Sequence, residues 1–401
     1  MNCATRWFSR FRFGVTLAAA AVFLLAFEVM AQTPEQVEIA KKVVSCKNMK
    51  FRAFWEIGSR DPNGGDWEKT ASAMEEAGYN ALLIRMCSAG DAYYPSKIVP
   101  HVCQSDRVKD CLAACKRHNI KMHVWLVCYN ASEGAPASYL NQLRSEGRMQ
   151  KTVDGRQVDW LCPSDPRNVK HHCDLITEML KMYPDIAGIH LDFIRYDGSQ
   201  YCYCDGCRQR FGAQHGEVKN WPADVRSGGP RWKEYNDWRK EQIRNLVVAA
   251  GKATHKAKRR CKFSVAVWVG IWVDGIAQDW FPWMKDGLVD FACPMNYTNS
   301  VDEFKKWNQF QLDHCGRKIP IYPGIAEYKN DLTGTLRQME ACVDQGFDGY
   351  VIFKMSPNSM NNILPVVKKG LEESKSSGHG HKSGKKASSK RKTKKSKRSR
   401  D

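Results

Sequence analysis

The chain has 401 residues, of which 43% are hydrophobic, 11% aromatic and 26% charged; this composition excludes a disordered polymer, a collagen-like repeat and a multi-span membrane protein. The formal net charge of +19 divides unevenly, because the stretch from Ser374 onward holds twelve Lys or Arg against Asp401. Residues 32–373 keep only +6, so a broad nucleic-acid-binding surface is not indicated.

The first 31 residues read as a signal peptide: a basic stretch through Arg12, an apolar run from Gly14 to Phe27, and small Val29 and Ala31 before Gln32. The apolar run is fourteen residues long, short of the ~20 needed to cross a membrane, which favours cleavage over anchoring. The expected location is therefore periplasmic or secreted.

From there short apolar runs alternate with amphipathic stretches. Eight runs rich in Val, Ile, Phe and Trp, bounded by Gly, Pro, Asn or Asp, predict strands: Phe51 to Glu56, Ala81 to Met86, Lys121 to Cys128, Ile186 to Phe193, Phe263 to Val269, Val289 to Met295, Ile319 to Ile325 and Gly349 to Met355. Between them the spacing predicts helices over Asp66 to Ala77, Ser105 to His118, Arg167 to Met182, Trp232 to Lys256, Val301 to His314 and Thr333 to Gln345. Gly78, Gly316 and Gly346 stand where helix C-caps require glycine. Eight strand–helix units fit an α/β fold of the (β/α)8 TIM-barrel class over residues 32–373. The rival, a doubly wound open sheet, lacks a glycine-rich phosphate loop after the first strand. Long loops follow strands three and four, Tyr129 to Pro166 and Tyr196 to Arg231. From Ser374 the chain collapses to Lys, Arg, Ser, Gly and His, which predicts a disordered tail. It could tether the protein to an anionic cell-wall or membrane surface; for an exported chain, nucleic acid is the less favoured partner.

The densest chemistry lies in Gly188-Ile189-His190-Leu191-Asp192-Phe193-Ile194-Arg195-Tyr196. Charged groups at the C-terminal end of a barrel strand face the mouth, where active sites are built. Asp192 is thus a candidate catalytic group, and His190, Arg195 and Tyr196 are candidate substrate contacts, against the plainer reading of an Asp192–Arg195 ion pair that ties the loop down. The run GIHLDFIRYD, PMNY at Pro294 to Tyr297 and YPGIAEY at Tyr322 to Tyr328 resemble the bacterial glycoside-hydrolase-like family 10 group. That likeness spans about residues 50–360. It implies an exported or lipid-anchored barrel acting on glycan chains, peptidoglycan backbones among them.

Glycosidic cleavage needs two carboxyl groups astride the bond. Glu327 at the end of the seventh run is the expected partner of Asp192; Asp274 and Asp279 compete with it. Glu56, Arg85, Asn296 and Tyr297 at strand ends, with Trp272 in a loop, are further candidates for substrate binding. So is a ring lining drawn from Trp55, Trp125, Tyr129, Trp268, Trp280 and Trp283, since sugar C–H faces pack on such rings.

Cys202, Cys204 and Cys207 form C-x-C-x2-C directly after the fourth strand. Zinc held by thiolates needs a fourth ligand, for which Cys162 is the choice. The arrangement is similar to the structural zinc cluster of family 42 β-galactosidases, although the Asn-Glu pair of that family's fourth strand is absent here. A closed four-cysteine site would brace the two long loops and leave catalysis without a metal cofactor. Disulfides are the rival, yet fifteen cysteines remain after Cys3, an odd number. The leading expectation is an exported glycoside hydrolase; a glycan-binding barrel without catalysis and a zinc-dependent deacetylase are the alternatives.

Overall fold

A computed structural model describes residues 32–58, 65–132, 134–271 and 273–379. The expected signal peptide, Trp272 and everything past His379 lie outside the described residues. Eight parallel strands form the body: β1 (Phe51–Glu56), β2 (Ala81–Ser88), β3 (Lys121–Val127), β4 (Gly188–Asp192), β5 (Lys262–Val267), β6 (Phe291–Pro294), β7 (Gly324–Ala326) and β8 (Gly349–Phe353). Each pairs with its neighbours in chain order, and β8 returns to β1. Parallel bridges from Ala292 to Ile321 and from Met295 to Gly324 join β6 to β7. The Tyr322 amide donates to the Ala292 carbonyl at 2.9 Å. These contacts close the ring, which an open doubly wound sheet would leave with two edges.

Period-two alternation divides the side chains of each strand. Ala53, Trp55, Leu83, Trp125, Ala266, Cys293 and Val351 converge on the barrel axis, while Phe54, Leu82, Ile84, Val124, Leu126, Ile189 and Leu191 pack outward among the helices. The axis is tightly filled. A Cβ on Gly188 would stand 2.1 Å from His123 Nδ1, so only glycine lets the His123 ring lie between Phe51 and Phe291, at centroid distances of 5.8 and 5.7 Å. A Cβ on Gly324 would likewise come within 2.9 Å of the Trp55 ring.

The six expected helices are present, and five begin with a side-chain oxygen accepting an orphan amide: Asp66, Asp106, Asp165, Ser300 and Asp331. Each such cap stabilises its helix by ~1 kcal/mol. A helix that the alternation did not suggest, Pro34–Ser45, starts with a reciprocal capping box between Thr33 and Gln36. It lies against the last helix, Leu364–His379, with Ser45 and Ser374 hydroxyls 2.8 Å apart. The stretch expected to be disordered from Ser374 is therefore helical as far as His379. The loop after β3 carries the helix Ala137–Ser145 and an antiparallel hairpin, Met149–Lys151 with Gln157–Leu161. The loop after β4 carries the helix Asp205–His215 and leads into Trp232–Ala257.

Burial holds four histidines neutral: His123 is pushed down to about 3, His171 to about 4, and His172 and His190 also lie well below the ordinary value. Below ~6.5 the unfolded chain binds protons that the native state refuses, so each group removes ~1.4 kcal/mol of stability per pH unit as pH falls. Urea unfolding at pH 7, 6 and 5 should show this decline, and His123→Leu should flatten its slope by one proton. An unchanged slope would show that His123 is protonated in the native state.

Candidate active site

The site is built on the end of β4. Trp55 Nε1–H donates to His190 Nε2 at 3.0 Å, which fixes the histidine proton on Nδ1, 2.9 Å from Ser264 Oγ. This chain crosses the axis and is wholly buried. His190, expected to touch substrate, instead forms the floor under Asp192, since a sealed ring cannot reach a ligand.

One layer higher, Asp192 turns inward and retains 5% of its surface. Burial pushes its carboxyl up from the usual aspartate range; the charge of Arg195, the Phe193 amide and the nearby Trp125 indole oppose that rise. Asp192 Oδ1 accepts the Phe193 amide at 2.6 Å. Phe193 has φ of +53°, a left-handed conformation that costs an aromatic residue roughly 1–3 kcal/mol. The turn throws its ring over the mouth, against Trp160 at 5.6 Å.

Arg195 lies over the Phe193 ring at 4.3 Å, with Trp160 and Trp268 at 5.6 and 5.8 Å. The rival reading, a tight ion pair with Asp192, is not formed: the two charges sense each other, yet Arg195 makes no salt bridge among the described residues, and its Nη1 is buried without a partner. Tyr297 stacks on Phe353 at 5.6 Å and meets Trp55 edge-on at 6.4 Å. Its hydroxyl is pushed well up by burial and by the charge of Asp192. Across the ring, Glu327 follows β7, also 5% exposed, and accepts a hydrogen bond from Asn358 Nδ2 at 2.7 Å.

Other expected contacts lie elsewhere. Glu56 follows the outward register of Phe54 and folds back to accept the Gly58 amide. Arg85 is buried against Asp91, with Nη2 at 2.9 and 3.0 Å from the two carboxylate oxygens, and against the Tyr93 hydroxyl at 2.9 Å. Tyr196 is sealed beneath the guanidinium of Arg239, 4.3 Å from its ring. Asn296 points outward to Asn308 and Gln311 at 2.8 and 3.0 Å. Asp274 is exposed and paired with Lys240 at 2.6 Å, and Asp279 shares the influence of Lys240. Tyr129, Trp280 and Trp283 belong to the helix-side core, so they line no sugar groove. Residues that the sequence reading passed over are Trp160, Phe353, Asn358, Trp307 and Tyr328. Only Tyr328, inside YPGIAEY, stood in a quoted motif.

Behind this mouth, the sulfurs of Cys162, Cys202, Cys204 and Cys207 are buried within 4.8 Å of one another. Cys162 is 3.5 Å from Cys207 and 3.8 Å from Cys204. A disulfide needs ~2.05 Å, whereas a tetrahedral ion with sulfur at ~2.3 Å sets sulfurs ~3.8 Å apart. The residues thus fit a closed site for one metal ion. The Lys151 amide donates to Cys202 Sγ at 3.4 Å, and Arg210 Nη2 stands 3.9 Å from Cys162 Sγ, as thiolate charge requires.

Similarity to known proteins agrees with the barrel. Residues 66–333 match the family model described as glycosyl hydrolase-like 10. The chain is 22% identical over 303 residues to glycosyl hydrolase YngK of Bacillus subtilis (strain 168), covering 66% of this chain and 56% of that protein. It is 21% identical over 299 residues to glycosyl hydrolase DigH of Escherichia coli (strain K12), covering 64% of each. It therefore spans less than two thirds of either relative. The catalytic domain of beta-amylase from Paenibacillus polymyxa shares the fold, with a TM-score of 0.62 at 13% identity over 81% of this chain and 98% of that one. On the match that covers most of its barrel, the chain belongs to the glycosyl hydrolase-like 10 family.

Proposed function

We propose that the protein is an exported glycoside hydrolase that cleaves glycosidic bonds in a polysaccharide or peptidoglycan-type chain. Asp192 serves as general acid and Glu327 as the second carboxylate. The observation that carries this reading is a nearly buried Asp192 at the end of β4, its carboxyl raised by burial in a mouth walled by Trp125, Phe193, Tyr297 and Phe353. A carboxyl raised in this way holds its proton to higher pH and can pass it to the departing glycosidic oxygen. Glu327, from the strand three places round the ring, would act on the opposite face of the sugar, as nucleophile or by activating water. The aromatic walls would hold sugar C–H faces and exclude water.

The four cysteines hold zinc in this proposal. Four thiolates leave no open position for water, so the ion braces the loops and supplies no catalytic step, unlike a deacetylase metal. Beyond His379, the Lys/Arg-rich stretch of the sequence would rest on an anionic wall polymer or membrane surface.

Asp192→Asn should lower kcat on peptide-free peptidoglycan strands by about 10²–10⁴-fold in a reducing-end assay. Its melting temperature should rise at pH 7, because the unfolded chain ionises this carboxyl more readily than the native state does, a bias against folding that asparagine lacks. If wild type and variant are equally inert while strand binding persists, the chain is a glycan-binding barrel.

The charge of Arg195 lowers the Asp192 pKa. Arg195→Gln should therefore raise it further and extend the alkaline limb of the pH–rate profile upward, as expected for a group that acts protonated. A shift of the acid limb instead would make Asp192 the ionised partner.

Stripping metal with a strong chelator should lower the melting temperature by several degrees, and one zinc per chain should be found by elemental analysis before treatment. Turnover measured below the lowered transition should persist. Immediate loss of turnover in protein that stays folded would assign the ion a catalytic task.

A further inference from the structure

Next to the mouth lies a cleft of about 710 Å³, which of the expected site residues only Tyr297 and Trp268 line. Its walls come from the segments after three consecutive strands: Trp268 after β5, Tyr297 and Asn299 after β6, and Tyr328 with Lys329 after β7. The helix Val301–Cys315 adds Glu303 and Trp307. We propose that this cleft is a second saccharide subsite, which holds the rings of the glycan beyond the ring cleaved at Asp192; the proposal rests on the glycosidase reading above.

Three observations carry it. Tyr328 leaves 56% of a large ring exposed, yet that ring is fixed edge-on by Tyr297 at 6.2 Å and Phe353 at 6.0 Å. A rigid uncovered ring is a platform already paid for in entropy, which a sugar face can cover. The cleft is also continuous with the catalytic mouth. Tyr297 lines it while its hydroxyl feels the Asp192 charge, and Trp268 lines it while the Arg195 guanidinium lies over its ring. Finally, polar groups surround the aromatic walls in fixed positions. Glu303 accepts from the Thr298 hydroxyl at 2.5 Å, and Lys329 Nζ donates to the Tyr297 carbonyl at 3.0 Å. Glu303 keeps acceptor capacity for sugar hydroxyls, and the opposite charges of Glu303 and Lys329 leave the cleft without net charge. Rings for C–H faces beside a carboxylate for hydroxyls suit a stretch of glycan better than a lipid or a nucleotide.

Cleavage should then favour long chains. The full-length protein is compared on peptide-free peptidoglycan strands and on their tetrasaccharide and disaccharide units. The wild type should show kcat/KM rising with chain length. Tyr328→Ala and Trp307→Ala should cut the ratio of strand to disaccharide turnover about tenfold, through KM. Tyr328 is exposed, so its variant should melt with wild type, and a normal melting curve for it guards against misfolding in Trp307→Ala. A ratio unchanged in both variants overturns the subsite, as does a loss equal on strand and disaccharide. Strand binding by Asp192→Asn, followed by co-sedimentation, separates the two proposals. Binding that weakens about tenfold on adding Tyr328→Ala supports the cleft even if neither protein turns over. Binding indifferent to Tyr328, or no binding at all, overturns it.

Discussion

The hydrogen-bond chain from Trp55 through His190 to Ser264 is the contact on which the site depends. A barrel of eight parallel strands has no room for water along its axis, so a polar ring placed there must find its partners in the layer itself. His190 does so with both nitrogens, one accepting and one donating, and its neutral form is the only one compatible with that pattern. The layer then acts as a dry floor. Whatever side chain β4 presents one step higher rests on apolar and neutral surface, which raises the cost of ionisation there. The weakened acidity of Asp192 is thus a consequence of the floor beneath it as much as of its own neighbours.

Much of this was legible in the sequence. Eight apolar runs marked the eight strands because fully buried parallel strands need Val, Ile, Phe and aromatic residues on both faces, and acidic caps with terminal glycines bounded the helices. The departures have local causes. Ile319 to Ile325 yields only Gly324–Ala326 as strand because Pro320 and Pro323 supply no ladder amides. Strand-end residues were harder to place, since alternation says which residues share a face but not which face is inside. Trp55 points to the axis and Glu56 therefore away from it; the irregularity between Arg85 and Cys87 in β2 is likewise invisible in a run of apolar letters. Asn296 and Tyr196, one residue out of phase with the mouth, entered the list for the same reason. Trp307 was hidden because a helix's own periodicity does not show that a half-buried tryptophan lines a cleft.

The cysteine cluster bears on the same site from behind. Cys162 ends the hairpin that carries Trp160, and Cys202 begins the segment that follows Asp192 by ten residues. Two long loops would otherwise be ordered at a large entropic cost. In the zinc reading proposed above, cross-linking them through one closed centre would hold Trp160 against Phe193 and Arg195. That matters because Phe193 sits in a strained conformation, which persists only where the surroundings over-determine it. The brace, the hairpin ring and the strained turn form one mechanical unit, although its parts are distant in sequence.

Residues 192–195 also support the proposal that the mouth, rather than another surface, is the working face. Elsewhere departures from the ordinary rules lie apart from one another, as at left-handed Asn119 and Ala277, and the Arg85–Asp91 charges are buried together. Within four consecutive residues those rules are broken three times, by a desolvated carboxyl at Asp192, a left-handed Phe193 and a guanidinium at Arg195 that lacks a close anion. Each departure costs stability, and none is needed to close the barrel, since β4 is already paired on both sides. A fold that could have placed a small neutral turn there instead keeps an acid, a cation and a ring converging on one opening. Such a concentration of unfavourable choices supports the proposal that a ligand gains from them.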